Sequence, residues 1–286
     1  MMRIISVALC ALFLTSCKIA ILEPKGAVAI EERNLIYIAI ILMLLVVVPA
    51  IIMTFVFAWK YRESNHGAKY SPNWSHSNKV EIVMWGIPCI IILALAILTW
   101  KTTHELDPYR PLDVAGKPVV IEVVALDWKW LFIYPEQNIA TVNFIQFPVD
   151  VPITFKVTSD APMNSFMIPQ LGGQIYAMAG MQTKLHLIAD TMGDYPGRSV
   201  SFTGRGFSGM TFVARVSSRA DFLKWVAQVK KSGNNLSAGD YLKLAKPSEN
   251  NPVVTFASVE PKLYENIIMK YMMPGMDDLK MHATTK

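Results

Sequence analysis

The chain has 286 residues, 52% of them hydrophobic and 17% charged, where an ordinary soluble domain carries about 25% charged residues; its mean hydropathy is +0.33, which excludes a wholly water-soluble protein. The length allows about two domains of ~150 residues, and the apolar excess puts part of the chain in lipid. The net charge of +5 is not concentrated: residues 119–286 hold 16 Lys+Arg against 14 Asp+Glu, which excludes the dense basic surface that a nucleic-acid partner requires to displace phosphate counterions.

Met1-Met2-Arg3 is a short basic start, followed by apolar residues 4–14 and by Leu14-Thr15-Ser16-Cys17. This pattern predicts an export signal rather than a spanning helix. Its ending resembles the bacterial lipoprotein box, which implies a signal peptide over 1–16, cleavage before Cys17 and lipid, palmitate included, on that residue. The alternative is an uncleaved signal in which Cys17 is only a small residue. An exported segment over 17–34 leads into a run without charge over residues 34–59, and a second such run covers residues 82–100. Each can cross a hydrocarbon core of ~30 Å at ~1.5 Å per residue, which predicts membrane helices over 35–59 and 81–101. Pro49 and Pro88 lie inside them, as membrane helices tolerate, and Trp59, Tyr61, Trp85 and Trp100 fall at or near the ends, as interfacial anchors do. The loop over 60–80 carries Lys60, Arg62, Lys69 and Lys79 against Glu63 alone. The excess of Lys and Arg places it in the cytoplasm and both termini on the outer face.

Beyond Pro108 and Pro111 the apolar runs shorten. Val119–Leu126 and residues 153–157, 183–188 and 211–216 are rich in β-branched side chains and separated by Pro, Gly, Asn and Asp, which predicts an all-β sandwich or barrel over 115–217. An aromatic-rich helical arm follows over 218–266. Within it, residues 221–231 place Phe222, Trp225, Val226 and Val229 at helical steps behind a Ser218 cap, and a shorter helix over 237–244 starts at Ser237 with Asp240 three residues on. The tail over 267–286 contains Met269, Met272, Met273, Met276, Met281 and His282. Thioethers and imidazole suit Cu(I); the other reading is a partner-contacting end. Of the three cysteines none lies beyond Cys89, so the β-domain can form neither a disulfide nor a thiolate metal site.

Two membrane helices ahead of an exported β-domain resemble subunit II of the haem–copper oxidases, and particular residues carry the likeness: Glu81, Trp85 and Pro88 at the start of the second helix, Asp127-Trp128-Lys129-Trp130, and Ser165-Phe166-Met167-Ile168-Pro169-Gln170-Leu171-Gly172. The resemblance implies a cupredoxin-like sandwich. In cytochrome c oxidases that domain holds a two-copper centre, CuA, and its ligand positions correspond here to Asn164, Ser199, Ser201, Thr203, Phe207 and Met210. Only Met210 keeps a ligating side chain. A copper pair needs bridging thiolates and imidazoles, which hydroxyls, a carboxamide and a phenyl ring cannot replace.

The chain therefore resembles the copper-free branch, subunit II of cytochrome bo-type ubiquinol oxidases, most closely in residues 174–181, in Ser208-Gly209-Met210 and in the arm with Phe222 and Trp225. That branch implies a multi-pass subunit of the bacterial inner membrane, lipid-anchored at its N-terminus, with its C-terminal domain in the periplasm. The whole complex is expected to oxidise ubiquinol, reduce oxygen to water and pump protons. Haem b, haem o or a variant, CuB and ubiquinone belong to subunit I; subunits III and IV are further partners. This chain is then expected to carry no catalytic residue, metal or redox cofactor, to serve assembly and stability, and to dock no cytochrome c. The resemblance puts Glu81 near the mouth of a proton pathway, the alternative being a carboxylate that merely complements a helix dipole. Trp128 and Trp130 are expected to pack against subunit I, and His186 to be structural. His66 and His76 lack a partner at ligand spacing. The rival reading is a membrane-anchored, cupredoxin-like copper-handling protein that uses the Met-rich tail.

Overall fold

A computed structural model of the chain describes residues 19–272 except Ala68, Tyr70, Pro72 and Ala115. The expected signal, Cys17, and the tail methionines Met273, Met276 and Met281 with His282 lie outside the described residues. The chain divides into two compact units. One is the segment ending at Glu32 together with everything from Pro108; the other is Arg33–Asp107.

Two long helices dominate the second unit, α1 (Ala27–Lys60) and α2 (Asn78–Glu105), of 34 and 28 residues, about 50 and 40 Å at ~1.5 Å per residue. Each buries a single residue within the chain, Ala29 and Ile91 respectively. Helices apolar around their whole circumference cannot face water, so lipid or partner helices must cover them. Two of their hydroxyls bond back to the helix: Thr54 Oγ1 donates to the Ala50 carbonyl at 2.8 Å and Thr102 Oγ1 to the Leu98 carbonyl at 2.9 Å. Both helices run unbroken through Pro49 and Pro88.

The other unit is a β-sandwich. Its six-stranded sheet runs, in spatial order, β12 (Val254–Phe256), β3 (Ile139–Val142), β2 (Lys129–Tyr134), β1 (Val119–Leu126), β5 (Ile153–Ser159) and β8 (Thr183–Leu187). The facing five-stranded sheet runs β4 (Phe144–Pro148), β10 (Thr211–Ser217), β9 (Gly193–Ser199), β6 (Asn164–Met167) and β7 (Ile175–Ala177). The β1/β5 and β4/β10 pairs are parallel and the remaining pairs antiparallel. Between the sheets lies an aromatic core. Phe166 stacks on Phe212 with ring centroids 5.1 Å apart, and Trp130 meets Phe166 edge-on at 5.5 Å, arrangements that add to the burial of the rings themselves.

The outer face of the six-stranded sheet is also covered. Val124, Leu126, Leu131 and Ile133 pack with Leu236, Tyr241, Leu263, Tyr264 and Ile267 of the C-terminal arm. Strands β1 and β2 are thereby buried on both faces, which is why, Glu122 and Lys129 apart, their sequences are apolar rather than alternating. The arm comprises α3 (Arg219–Lys230), α4 (Ala238–Leu244) and α5 (Leu263–Met272), with a short parallel pair β11 (Asn235–Leu236) and β13 (Ser258–Val259). Ser218 and Ser237 cap α3 and α4, accepting from the Asp221 and Asp240 backbone N–H at 3.1 and 3.2 Å. The arm is not purely helical, however, because β12 pairs with β3 and completes the sheet edge.

Helix α1 starts ahead of the uncharged run because the residues around its first turn are held by the sandwich. Lys25 N–H donates to the Gln170 carbonyl at 2.7 Å, and Asp190 N–H to the Lys25 carbonyl at 3.0 Å. Gly26 is required by this close approach: a Cβ there would stand 2.2 Å from the Ile188 carbonyl oxygen. Burial raises the Glu32 carboxyl above the ordinary carboxylate range, partly offset by a hydrogen bond from the Gly173 backbone.

Candidate functional site

Two places collect the residues that the sequence singles out. The first is the end of the sandwich where β6, β9 and β10 meet the connection over 200–210. Asn164 opens β6 and is 1% exposed; its Oδ1 accepts from Ser199 Oγ at 2.7 Å, and its Nδ2 donates to the Pro162 carbonyl at 3.1 Å. Ser199 closes β9, and its N–H donates to the Met210 carbonyl at 3.1 Å. The Ser201 hydroxyl is hydrogen-bonded to that of Ser165. Thr203 is held through its carbonyl, which accepts from Trp128 Nε1 at 3.2 Å, while its Oγ1 is buried without a hydrogen-bond partner. Phe207 begins a single 3-10 turn and is half-buried, with its ring edge-on to the exposed Phe202 at 5.5 Å. Met210 is buried. A cavity of about 430 Å³ remains, lined by Ser199, Phe207 and Met210 with Arg198, Val200 and Thr211 among its other walls.

The expected copper-site positions Asn164, Ser199, Ser201, Thr203, Phe207 and Met210 thus do gather in one region. Their chemistry does not fit a two-copper centre. Asn164 and Ser199 spend their polar atoms on each other and on backbone, Ser201 is engaged with Ser165, and a phenyl ring stands where an imidazole would be needed. A single thioether is left, and soft copper needs thiolate and imidazole ligands. Among the described residues no group of three or more His, Cys, Asp or Glu is placed to hold a metal.

Trp128 and Trp130 separate at this point. Trp128 adopts a left-handed backbone at φ 62° in the β1–β2 turn; its half-buried ring lies against Gly206, where a Cβ would come within 2.5 Å of it. Trp130 is completely buried in the inter-sheet core. It therefore cannot pack against another subunit, which corrects the expectation for this residue: alternation along β2 turns it inward.

The second place is the first turn of α2. Glu81 N–H donates to the Ser77 carbonyl at 3.0 Å, so its side chain stands in the helix's opening turn. His76 Nδ1 lies 2.6 Å from Glu81 Oε1, and its Nε2 is hydrogen-bonded to Asn78 Oδ1. His76 has no partner at metal-ligand spacing, and its contact with Glu81 comes from a five-residue step across a helix start, where the chain folds back over its own first turn. A neighbouring cavity of about 1250 Å³ between α1 and α2 is lined by Lys60, Lys69 and Lys79 with Phe57, Tyr61 and Trp74. His186 is structural in its surroundings: it pairs with Thr154 Oγ1 at 3.1 Å, and burial, then Lys184, lowers its pKa below that of a free imidazole. Of the methionine tail only Met269 and Met272 are described, both exposed on α5.

Comparison with known proteins adds sequence-wide likeness. The family described as the COX Aromatic Rich Motif matches residues 230–275. The cytochrome bo(3) ubiquinol oxidase subunit 2 of Pseudomonas putida is 60% identical over 260 residues, covering 91% of this chain and 83% of that protein. The ubiquinol oxidase subunit 2 of Acetobacter aceti is 54% identical over 263 residues, covering 91% and 85% respectively. Among solved structures, the periplasmic domain of subunit II of the cytochrome oxidase of Bradyrhizobium japonicum is similar at 22% identity with a TM-score of 0.40, covering 41% of this chain and 97% of that one.

Proposed function

The chain belongs to the ubiquinol oxidase subunit 2 family, a subunit of a quinol:oxygen oxidoreductase complex, and from that premise we propose that it is the redox-inert second subunit of a proton-pumping terminal oxidase. Ubiquinol oxidation and oxygen reduction then belong to a polytopic subunit I, which holds haem b, haem o or a variant, CuB and the quinone. This chain supports assembly and stability beside it, with subunits III and IV as further neighbours. The observation that carries the reading is the Ser199–Asn164 hydrogen bond with the half-buried Phe207 beside it: an oxidase that took electrons through this domain would need thiolates and imidazoles there.

The loop between α1 and α2 is cytoplasmic in this reading and the sandwich periplasmic, with a lipid on Cys17 as a further tether. The charge bias of the loop supports the orientation. Glu81 stands where a carboxylate at the membrane face can gather protons for a pathway into subunit I, at the start of a spanning helix, where ionisable residues are costly and often functional.

The test is the copper content and near-infrared spectrum of the purified complex. Copper equal to that of subunit I alone, with no near-infrared band, is expected. Additional copper that travels with this chain and brings such a band overturns the reading. Mass spectrometry of the N-terminal peptide checks the tether, with an acylated Cys17 expected and an unmodified or absent Cys17 contradicting it.

A further inference from the structure

We infer that the groove between the loop ends of α1 and α2 holds one anionic phospholipid, its phosphate on three lysines and its acyl chains along the two helices. The inference needs only that both helices cross a bilayer, and it stands apart from the redox-inert reading of the sandwich. The groove has a volume of about 1250 Å³, and its walls are graded along the helix axes. On α1, Met53 and Phe57 lead to Lys60 and Tyr61; on α2, Met84 and Val83 lead back to Val80 and Lys79. Steps of three and four residues put each set on one helix face, so the groove lies between two stripes of the same polarity. Both are hydrocarbon away from the loop and basic beside it. Met53 and Lys60 are separated by about 10 Å along the axis at ~1.5 Å per residue, room for a head group and the upper part of a chain in that order. Lys69, Ser71 and Trp74 of the loop complete the basic end, and the turn that carries Trp74 is held by its N–H on the Ser71 carbonyl at 3.2 Å.

Charge complementarity selects the occupant. Lys60, Lys69 and Lys79 bring three ammonium groups to one end of the groove, and among the described residues no carboxylate is ion-paired with any of them. The only acidic residues over 60–81 are Glu63 and Glu81; Glu81 is engaged by His76 at 2.6 Å. An ammonium is a compact charge with three donors, suited to phosphate oxygens. A zwitterionic head group brings a cation of its own into this end, and an apolar helix would leave the three charges without a counter-charge. A soluble anion would leave the apolar walls bare, Phe57 at 53% and Val83 at 57% exposure among them. An anionic phospholipid answers both halves, and basic pockets between membrane helices on the cytoplasmic side hold anionic head groups in this way. The exposed Tyr61 and Trp74 rings suit the depth at which a head group meets its chains.

The experiment places the complete oxidase in phosphatidylcholine nanodiscs with a trace of phosphatidylglycerol, or of phosphatidylcholine, that carries a photoreactive group on an acyl chain. Labelled peptides are mapped by mass spectrometry, with haem content per complex as the check on assembly. Phosphatidylglycerol should label residues 53–57 and 80–84, about tenfold more than phosphatidylcholine does. Lys60→Gln, Lys69→Gln and Lys79→Gln should each lower that labelling about fivefold. Val83→Trp, which narrows the groove without changing its charge, should lower it as well. Arg62→Gln removes the same charge outside the groove, where the guanidinium lies over the Trp59 ring at 4.2 Å, and should leave the labelling as in the wild type. Equal labelling by the two lipids overturns the inference, and so does a loss in Arg62→Gln equal to that of the lysine variants, which would show attraction to the loop at large. Labelling abolished by excess glycerol phosphate would identify a soluble-anion site instead. Absence of label from both segments, as when a partner subunit or a second copy fills the groove, equally contradicts it. The two-lipid comparison and the glycerol phosphate competition use the wild type alone, so a variant that fails to assemble does not remove the test.

Discussion

At the scale of single residues, the loop end of the sandwich pairs its polar side chains with one another. Asn164 and Ser199 form a buried hydrogen bond at 2.7 Å, so neither presents an unpaired polar atom where a ligand set would stand. Ser199→Ala leaves the Asn164 carbonyl oxygen without its donor and should cost ~1–3 kcal/mol, read as a fall in the thermal midpoint of the purified oxidase with the absorption spectrum unchanged. Glu122 gives a pH test. Its carboxyl is buried near the arm, and burial raises its pKa above 4.5, against the smaller opposing effect of Lys156 3.7 Å away. Because the folded value lies above the unfolded one, the linked stabilisation is complete below about pH 4.3 and is lost as pH rises through the folded pKa. Glu122→Gln should therefore stabilise the domain at pH 7, on the order of 1 kcal/mol. The advantage over wild type should shrink on acidification, and an advantage that instead grew toward low pH would show the sign to be wrong. The burial of these polar groups was invisible in the sequence, since Glu122 sits in a strand that otherwise reads as apolar, whereas the lack of thiols beyond Cys89 was legible from residue identity alone.

At the scale of elements, the arm is fastened at one carboxylate. Asp160, whose side chain is 1% exposed, accepts from Lys270 Nζ at 2.7 Å, Tyr241 Oη at 2.6 Å and Tyr271 Oη at 2.7 Å, joining α4 and α5 to the end of β5. Burial, with Asp160 as a further cause, holds both tyrosine hydroxyls well above the ordinary phenol range. Asp160→Asn removes the charge and weakens all three contacts, so the arm should open at a cost of ~1–3 kcal/mol and limited proteolysis should cut it faster between α4 and α5. An unchanged cleavage rate would mean that the apolar cluster around Tyr264 alone holds the arm. Ser237→Ala, which removes only the α4 cap, should cost ~1 kcal/mol. The sequence predicted α3, α4 and their caps because serine, aspartate and apolar spacing are local signals. It did not predict β12, whose three residues become a strand only by adding to the edge of β3, nor the separate helix α5, whose apolar face was read as part of a methionine tail. The same non-local burial hid the pairing of β1 and β2, since strands covered on both faces lose their alternation.

At the scale of the whole molecule, two helices whose apolar side chains are left exposed within the chain, Phe55 at 71% and Trp100 at 73% among them, are joined to a water-facing sandwich of nearly balanced charge. Such a chain is half of an arrangement completed by lipid and partner subunits. The initial excess of apolar residues is thereby placed, and the proposed function divides the labour accordingly: the helices seat the subunit, and the sandwich, in that proposal, has no electron to carry. That last claim is tested most directly by oxygen uptake of the purified oxidase with one electron donor at a time. Ubiquinol should sustain turnover and reduced cytochrome c should give none. Turnover driven by cytochrome c would contradict the claim, because it requires this domain to accept electrons through a metal centre its residues do not form.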